Sequence, residues 1–161
     1  MKKIQLTQGK VALVDDEDFD RLNQNKWHYN GRYAVRNSKP NRGEKRFTIY
    51  MQDEVIDCPD GYEVDHKDCE ADDYGLNNQR SNLRVCTHSQ NAMNRMVSSA
   101  NAGRYKGVGY VRRTGKYRAR IQINGKETTL GTFADEKSAA AAYNEAALLN
   151  YGEFAWLNTI L

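Results

Sequence analysis

Between Tyr117 and Ile123 the chain alternates without a break: Tyr117, Ala119, Ile121 and Ile123 are apolar, while Arg118, Arg120 and Gln122 are polar. Successive strand residues point to opposite faces, so this period fits a half-buried β-strand. Turn residues bound it on both sides, Thr114-Gly115 before and Asn124-Gly125 after, the second a type I′ hairpin signal. Flanking strands are expected at Val108–Arg113 and Thr128–Phe133. Asp135 then caps an alanine-rich helix that ends near Tyr151-Gly152. Three strands and one helix make a minimal packed unit. Ala139 to Ala142, Ala146 and Ala147 let the helix lie close to the sheet, with Thr128 and Leu130 turned inward. The other face then displays Arg118, Arg120, Gln122, Glu127 and Thr129.

A small polar stretch at 98–103 reads as a linker. It divides the 161 residues into a part at 1–97 and a part at 104–161. Mean hydropathy is −0.86, which suits two small cores better than one large one. In the first part Val11–Val14 reads as a strand, and Asp15, Asp16 and Asp18 open a helix through about Asn23, acids at its positive end. Trp27–Tyr29 and Tyr33–Val35 are strand pieces around Asn30-Gly31, and Tyr33–Met51 is a hairpin with a basic tip, equally readable as an ordinary exposed hairpin or a nucleic-acid contact. No stretch approaches the roughly 18 apolar residues of a membrane span. Met1 to Gly9 lacks the apolar core of a secretory signal. Cys58, Cys69 and Cys86 form no CxxC pair, so no disulfide framework is indicated and a reducing, cytoplasmic setting is expected.

Charge is segregated. From Asp53 to Asp73 there are ten acidic residues and one lysine; from Tyr74 to Lys126 there is no acidic residue and there are eleven Lys or Arg. A solvated basic face is one reading. The sharper one is a surface built to lie on phosphates, with double-stranded DNA as partner. Arg118, Arg120, Gln122 and Thr129 are of the types that meet base edges in the major groove. Lys106, Arg112, Arg113 and Lys116 fall at strand ends, where phosphates would run. No membrane partner and no obligate protein partner is indicated.

The candidate chemistry lies in Val64-Asp65-His66, Asn82-Leu83-Arg84 and Gln90-Asn91. A carboxylate is a hard oxygen ligand for Mg²⁺ or Mn²⁺, and an amide oxygen can be a second. A histidine near neutral pKa can take a proton from water. Two protein ligands leave a cation open to phosphate oxygens and water, as phosphodiester hydrolysis requires. In its Asp65-His66, its Asn82-Leu83-Arg84 triplet approached through Leu76–Ser81, and its Asn91, the chain resembles the HNH nucleases of phage and intron homing endonucleases. The resemblance implies a ββα-metal fold with a helix from about Thr87 to Arg95 carrying Asn91. It further implies His66 as general base, Asn82 holding the loop and orienting His66, and Asp65 and Asn91 binding one Mg²⁺ or Mn²⁺. The interval from His66 to Asn82 is longer than usual in that branch, the extra residues falling in Cys69–Tyr74. Met51-Gln52-Asp53 stands where many relatives have Met-His-Arg. Cys58, Cys69, Cys86 and His88 could instead gather a structural zinc. The acidic run Asp68, Glu70, Asp72 and Asp73 could bind calcium but lacks the order of a calcium loop.

The second part resembles an AP2 domain over about 103–158, through Tyr105–Val108, Gly115–Ala119, Leu130–Phe133 and Ala141–Ala147. That implies a three-stranded sheet docked in the major groove. The expectation is therefore an α+β chain, a ββα-metal nuclease part followed by an AP2-like part. It would be a divalent-metal-dependent DNA endonuclease of homing type, encoded by a phage or mobile element and acting in the cytoplasm of a bacterial host. The alternative is a DNA-binding regulator whose nuclease part is degenerate.

Overall fold

The computed structural model describes residues 1–43, 45–68, 75–95 and 105–161. It is a mixed α/β chain of four small antiparallel sheets and four helices among the described residues. Two compact units divide it, Met1–Asn91 and Ala92–Leu161. The linker expected at 98–103 lies outside the described residues, as does the inserted run Cys69–Tyr74.

In the first unit β1 (Lys2–Gln5) pairs with β2 (Val11–Val14), and α1 (Asp16–Leu22) follows. β3 (His28–Tyr29), β4 (Ala34–Asn37) and β5 (Thr48–Tyr50) form a second sheet in that order, and α2 (Met51–Val55) leaves its end. β6 (Glu63–His66) pairs with β7 (Leu83–Cys86), and α3 (His88–Asn94) follows, its residues up to Asn91 belonging to this unit. One core joins these pieces: Ile4, Ala12, Val14, Leu22, Trp27, Ala34, Met51, Val55, Val64, Leu76 and Leu83. Two elements were not expected. β1 buries only Ile4 in a charged stretch, too little apolar signal to read. The hairpin expected over Tyr33–Met51 has only three residues in its second strand, and Met51 begins a five-residue helix too short to show a helical period.

In the second unit β8 (Val108–Val111), β9 (Lys116–Ile123) and β10 (Lys126–Phe133) form a sheet with β9 central. α4 (Glu136–Tyr151) covers one face through Ala139, Ala140, Tyr143 and Ala147. Asp135 caps it: Oδ1 accepts from the Ser138 N–H and Oδ2 from the Ser138 hydroxyl, both at 2.8 Å. The strand expected through Arg113 stops at Val111, because the N–H groups of Thr114 and Gly115 both turn back to the Val111 carbonyl. A bulge falls between Thr129 and Gly131. Thr128, expected inward, pairs with buried Ile121 but stands exposed on an edge strand. The C-terminal segment is held by an amide clamp. The side chain of Asn158 meets the backbone N–H and C=O of Lys106, and its own backbone meets the side chain of Asn144. No helix among the described residues is long and apolar enough to cross a membrane.

Gly107 shows how tightly this unit is packed. Its φ is +75°, and a Cβ there would stand 2.1 Å from Tyr143 Cδ2 and 2.6 Å from the Arg120 carbonyl oxygen. Gly107→Ala should cost roughly 2–5 kcal/mol in a urea titration, through backbone strain and overpacking together. Gly125→Ala, at φ +78° with nothing within 4 Å, should cost only about 1 kcal/mol.

Candidate functional site

β6 sets the site by alternation. Val64 and His66 face the core side with Leu83, whereas Glu63 and Asp65 share the opposite face. Asp65 is 2% exposed and stands opposite Arg84 in the β6–β7 register. Arg84 Nε and Nη2 both donate to Asp65 Oδ2, at 3.0 and 2.8 Å. The buried carboxylate therefore has a counter-charge placed by strand register alone.

Two residues further along the same face, Glu63 joins β6 to α3. Its Oε2 accepts from Asn91 Nδ2 at 2.6 Å, and its Oε1 lies 2.7 Å from His88 Nδ1. Hydrogen bonds from Asn91 first, then His88, hold the Glu63 carboxyl below its ordinary range, against a smaller opposing effect of burial. Asn91 is thus tied to Glu63 on the Asp65 face. Of the residues on this face, the sequence does not single out Glu63, offers His88 only as a zinc ligand and shows Arg84 only as part of the Asn82 triplet. The i−2 spacing of Glu63 from Asp65 on a strand and the i−3 spacing of His88 from Asn91 on a helix point to the first two. The donors on this face are carboxylate and amide oxygens, a set that suits a hard divalent cation. Among the described residues no group of three or more His, Cys, Asp or Glu is placed to hold a metal ion. Cys69 of the zinc alternative lies outside them. Burial pushes the Cys86 thiol up to about 11, so it stays protonated at neutral pH.

His66, on the other face, is 1% exposed. Its Nε2 lies 3.3 Å from Asn78 Oδ1, and its ring sits 5.8 Å from that of Tyr33. Asn78 is itself fully buried, with its Nδ2 donating to the Leu76 carbonyl, which points Oδ1 at the histidine. An amide oxygen only accepts, so the neutral ring carries its proton on Nε2 and leaves Nδ1 as the proton-accepting nitrogen. Burial lowers the His66 pKa, outweighing the opposing Asn78 bond and Asp65 charge, and the ring is neutral at pH 7. Asn82 fixes the chain that follows. Its Nδ2 donates to the Asn77 carbonyl at 2.9 Å, its Oδ1 accepts from the Asp68 N–H at 3.1 Å, and its carbonyl accepts from the Lys67 N–H at 2.8 Å.

In the second unit Arg118, Arg120 and Gln122 share the uncovered face of β9 and are exposed, and Thr129 stands opposite Arg120. Arg120 pairs with Glu127 at 3.0 Å. Arg112, Arg113 and Lys116 are exposed around the β8–β9 turn. Lys106 is placed differently. Its ammonium donates to the carbonyls of Met93 and Arg95 and lies over the Trp156 ring, so its charge serves the unit's own backbone.

Two outcomes follow for the first unit. Arg84→Met removes the guanidinium from the buried Asp65 carboxylate and should cost about 3–5 kcal/mol in chemical denaturation, most of it recovered when Asp65→Asn is added. His66 has a folded-state pKa below its unfolded value of 6.5, so the unfolded chain binds the extra proton first. Its effect on stability is absent well above pH 6.5, and stability falls as pH drops from there toward the folded-state pKa. Melting curves of His66→Gln against the parent should show a flatter pH dependence in that window.

Residues 57–93, which span β6, β7 and nearly all of α3, match the HNH endonuclease family. An uncharacterized HNH endonuclease of Acanthamoeba polyphaga mimivirus is 31% identical over 156 residues, covering 94% of this chain and 76% of the relative. No solved structure matches. The match falls on the segment that carries Asp65, His66, Asn82 and Asn91, and the relative's identity extends across both units: the chain belongs to the HNH endonuclease family.

Proposed function

We propose that the protein is a divalent-metal-dependent DNA endonuclease that hydrolyses a phosphodiester to a 5′-phosphate and a 3′-hydroxyl. The observation that carries this reading is the two-faced end of β6. Oxygen donors gather on one face, a neutral histidine is aimed on the other, and Asn82 pins the chain between them. Asp65 and Asn91 would hold one Mg²⁺ or Mn²⁺, with Glu63 orienting the Asn91 amide. Such a cation would polarise the scissile phosphate and stabilise the departing oxygen. His66 would take the proton of the attacking water at Nδ1, and Asn82 would keep His66 in place.

The second unit would act as an AP2-like reading module laid in the major groove. Arg118, Arg120, Gln122 and Thr129 would face base edges, with Arg112, Arg113 and Lys116 on phosphates. The segregated charge supports this part of the reading, since the sheet face opposite α4 carries its cations outward. A homing role follows from pairing a cutting unit with a dedicated reading unit. One observation favours the rival, a DNA-binding regulator with an idle nuclease unit: His66 is almost fully buried, and a general base must meet water.

The two readings part in one experiment. The chain is incubated with viral and bacterial duplex DNA in Mg²⁺, Mn²⁺ or EDTA, and the cut ends are mapped. Cutting should need the cation, leave 5′-phosphates, and fall by about 10²–10⁴-fold in His66→Ala with DNA binding kept. Binding without cutting in either cation identifies the regulator, and cutting by His66→Ala at the parent rate removes His66 from the base role.

A further inference from the structure

The arginines of the first unit are committed to its own groups, with one exception. Arg21 and Arg80 meet Asp18, Arg36 meets Glu54, Arg84 meets Asp65, and Arg32 lies over the Tyr33 ring. The exception is the loop joining β4 to β5. Lys39, Arg42, Lys45 and Arg46 are all exposed there, and none has an ion-pair partner among the described residues. Phe47 stands beside them with 64% of its surface exposed, the most exposed aromatic among the described residues of the unit. The loop has a built base. The Ser38 N–H donates to the Phe47 carbonyl at 2.9 Å, and the Phe47 N–H donates to the Ser38 hydroxyl oxygen at 3.0 Å. Gly43, at φ +97°, turns the tip. In sequence these four cations outnumber the one acid of the run, Glu44, and the exposed Phe47 ring adds nothing to the buried core of the unit. Both features fit a surface that meets a polyanion with an apolar edge.

The ribbon's position says where that surface lies. β4 begins just after Tyr33, whose ring packs on His66. From Tyr33 to Ser38 an extended chain covers roughly 17 Å at about 3.3–3.4 Å per residue. One strand of duplex DNA advances about 3.4 Å per base, so the base of the loop, at Ser38 and Phe47, lies roughly five base pairs from the His66 end of the ribbon. A two-stranded ribbon also fits the width of a major groove.

We propose that the β4–β5 hairpin is a DNA-contacting element of the nuclease unit itself. Lys39, Arg42, Lys45 and Arg46 lie on phosphates about half a helical turn from the scissile bond, and Phe47 packs against sugar or base edge. The proposal rests on the endonuclease reading above and adds a contact independent of the second unit. It gives the first unit its own hold on DNA, so that register at the cut does not depend on the reading module alone.

The test uses the full chain with Lys39, Arg42, Lys45 and Arg46 all changed to Gln, alongside Phe47→Ser. Duplex DNA is titrated in EDTA, where no cutting is expected, over a range of salt. Each phosphate contact contributes about 0.9 to the slope of log affinity against log salt, so the fourfold variant should lose about 3–4 from that slope and on the order of a hundredfold in affinity near 0.15 M salt. Phe47→Ser should bind several-fold more weakly with the slope unchanged. Hydroxyl-radical footprints of the fourfold variant should lose protection about five base pairs from the cut and keep it at the cut. The side chains are exposed, so an unchanged melting temperature will show that the fold is kept. A parental slope and footprint in the fourfold variant overturn the proposal and leave the endonuclease reading standing. A loss of slope on single-stranded RNA but not on duplex DNA also overturns it. A parent chain that neither binds nor cuts duplex DNA overturns both.

Discussion

The buried carboxylate of Asp18 is the point on which the first unit turns. It lies on α1 and is almost fully enclosed, yet it receives Arg80 through Nε and Nη2, both at 2.9 Å, and Arg21 at 2.6 Å. Burial alone would raise its pKa; the two guanidiniums outweigh that and hold it below the ordinary carboxylate value. Around this pair Asp15 accepts from the Arg80 N–H and the Gln79 amide, while β2 exchanges backbone hydrogen bonds with the Leu76 carbonyl and the Asn78 N–H through Leu13. A segment more than sixty residues away is thereby fixed to the N-terminal hairpin and helix. That segment carries Asn78, which meets His66, and Asn82, which holds the chain beyond it. The length of the run between His66 and Asn82 matters little to the site when both ends are fastened this way, because loop closure entropy grows only slowly with length.

With those ends fixed, one short strand creates two chemical environments. Asp65 and His66 are neighbours in sequence but lie on opposite faces of β6. One face pairs a carboxylate with a guanidinium and leads through Glu63 to the α3 amide and imidazole. The other encloses an imidazole against Tyr33 and Asn78, where burial favours the neutral ring. The period of a β-strand supplies the separation without any special loop geometry. It places an imidazole and a set of oxygen donors within one residue of each other on opposite faces of the strand.

The central strand of the second unit was legible because it has a full alternating period and a turn at each end: β9 and the Asn124-Gly125 turn fall where the sequence puts them, and Asp135 caps its helix as expected, whereas the ends of β8 and β10 differ from the expected bounds. What was not legible depends on tertiary partners. The acids of α1 look like helix-dipole residues in the sequence, and only the fold shows that Asp15 and Asp18 reach Arg80. Lys106 looks like any strand-end cation until Met93 and Arg95 appear as its acceptors. The Asn158 clamp involves amides 14 and 52 residues apart, with no local pattern to announce it. Arg84 was read as part of a triplet with Asn82, while its pairing with Asp65 follows from register, which two four-residue strands do not reveal.

The two units use positive charge in opposite ways. In the first, most guanidiniums are drawn inward to carboxylates, where each partner reduces the other's cost of burial and the field at the surface is weakened. Arg36, for example, joins Glu54 and also lies over Trp27. In the second, Arg112, Arg113, Lys116 and Arg118 stand on an exposed edge and face with Glu127 as the one carboxylate of that sheet, paired to Arg120. A sheet face with cations in alternate positions and a helix covering its reverse is self-repelling unless something anionic lies on it. In the first unit, then, most guanidiniums tie its own elements together, while in the second Arg112, Arg113, Lys116 and Arg118 stand exposed on the sheet that α4 covers from behind.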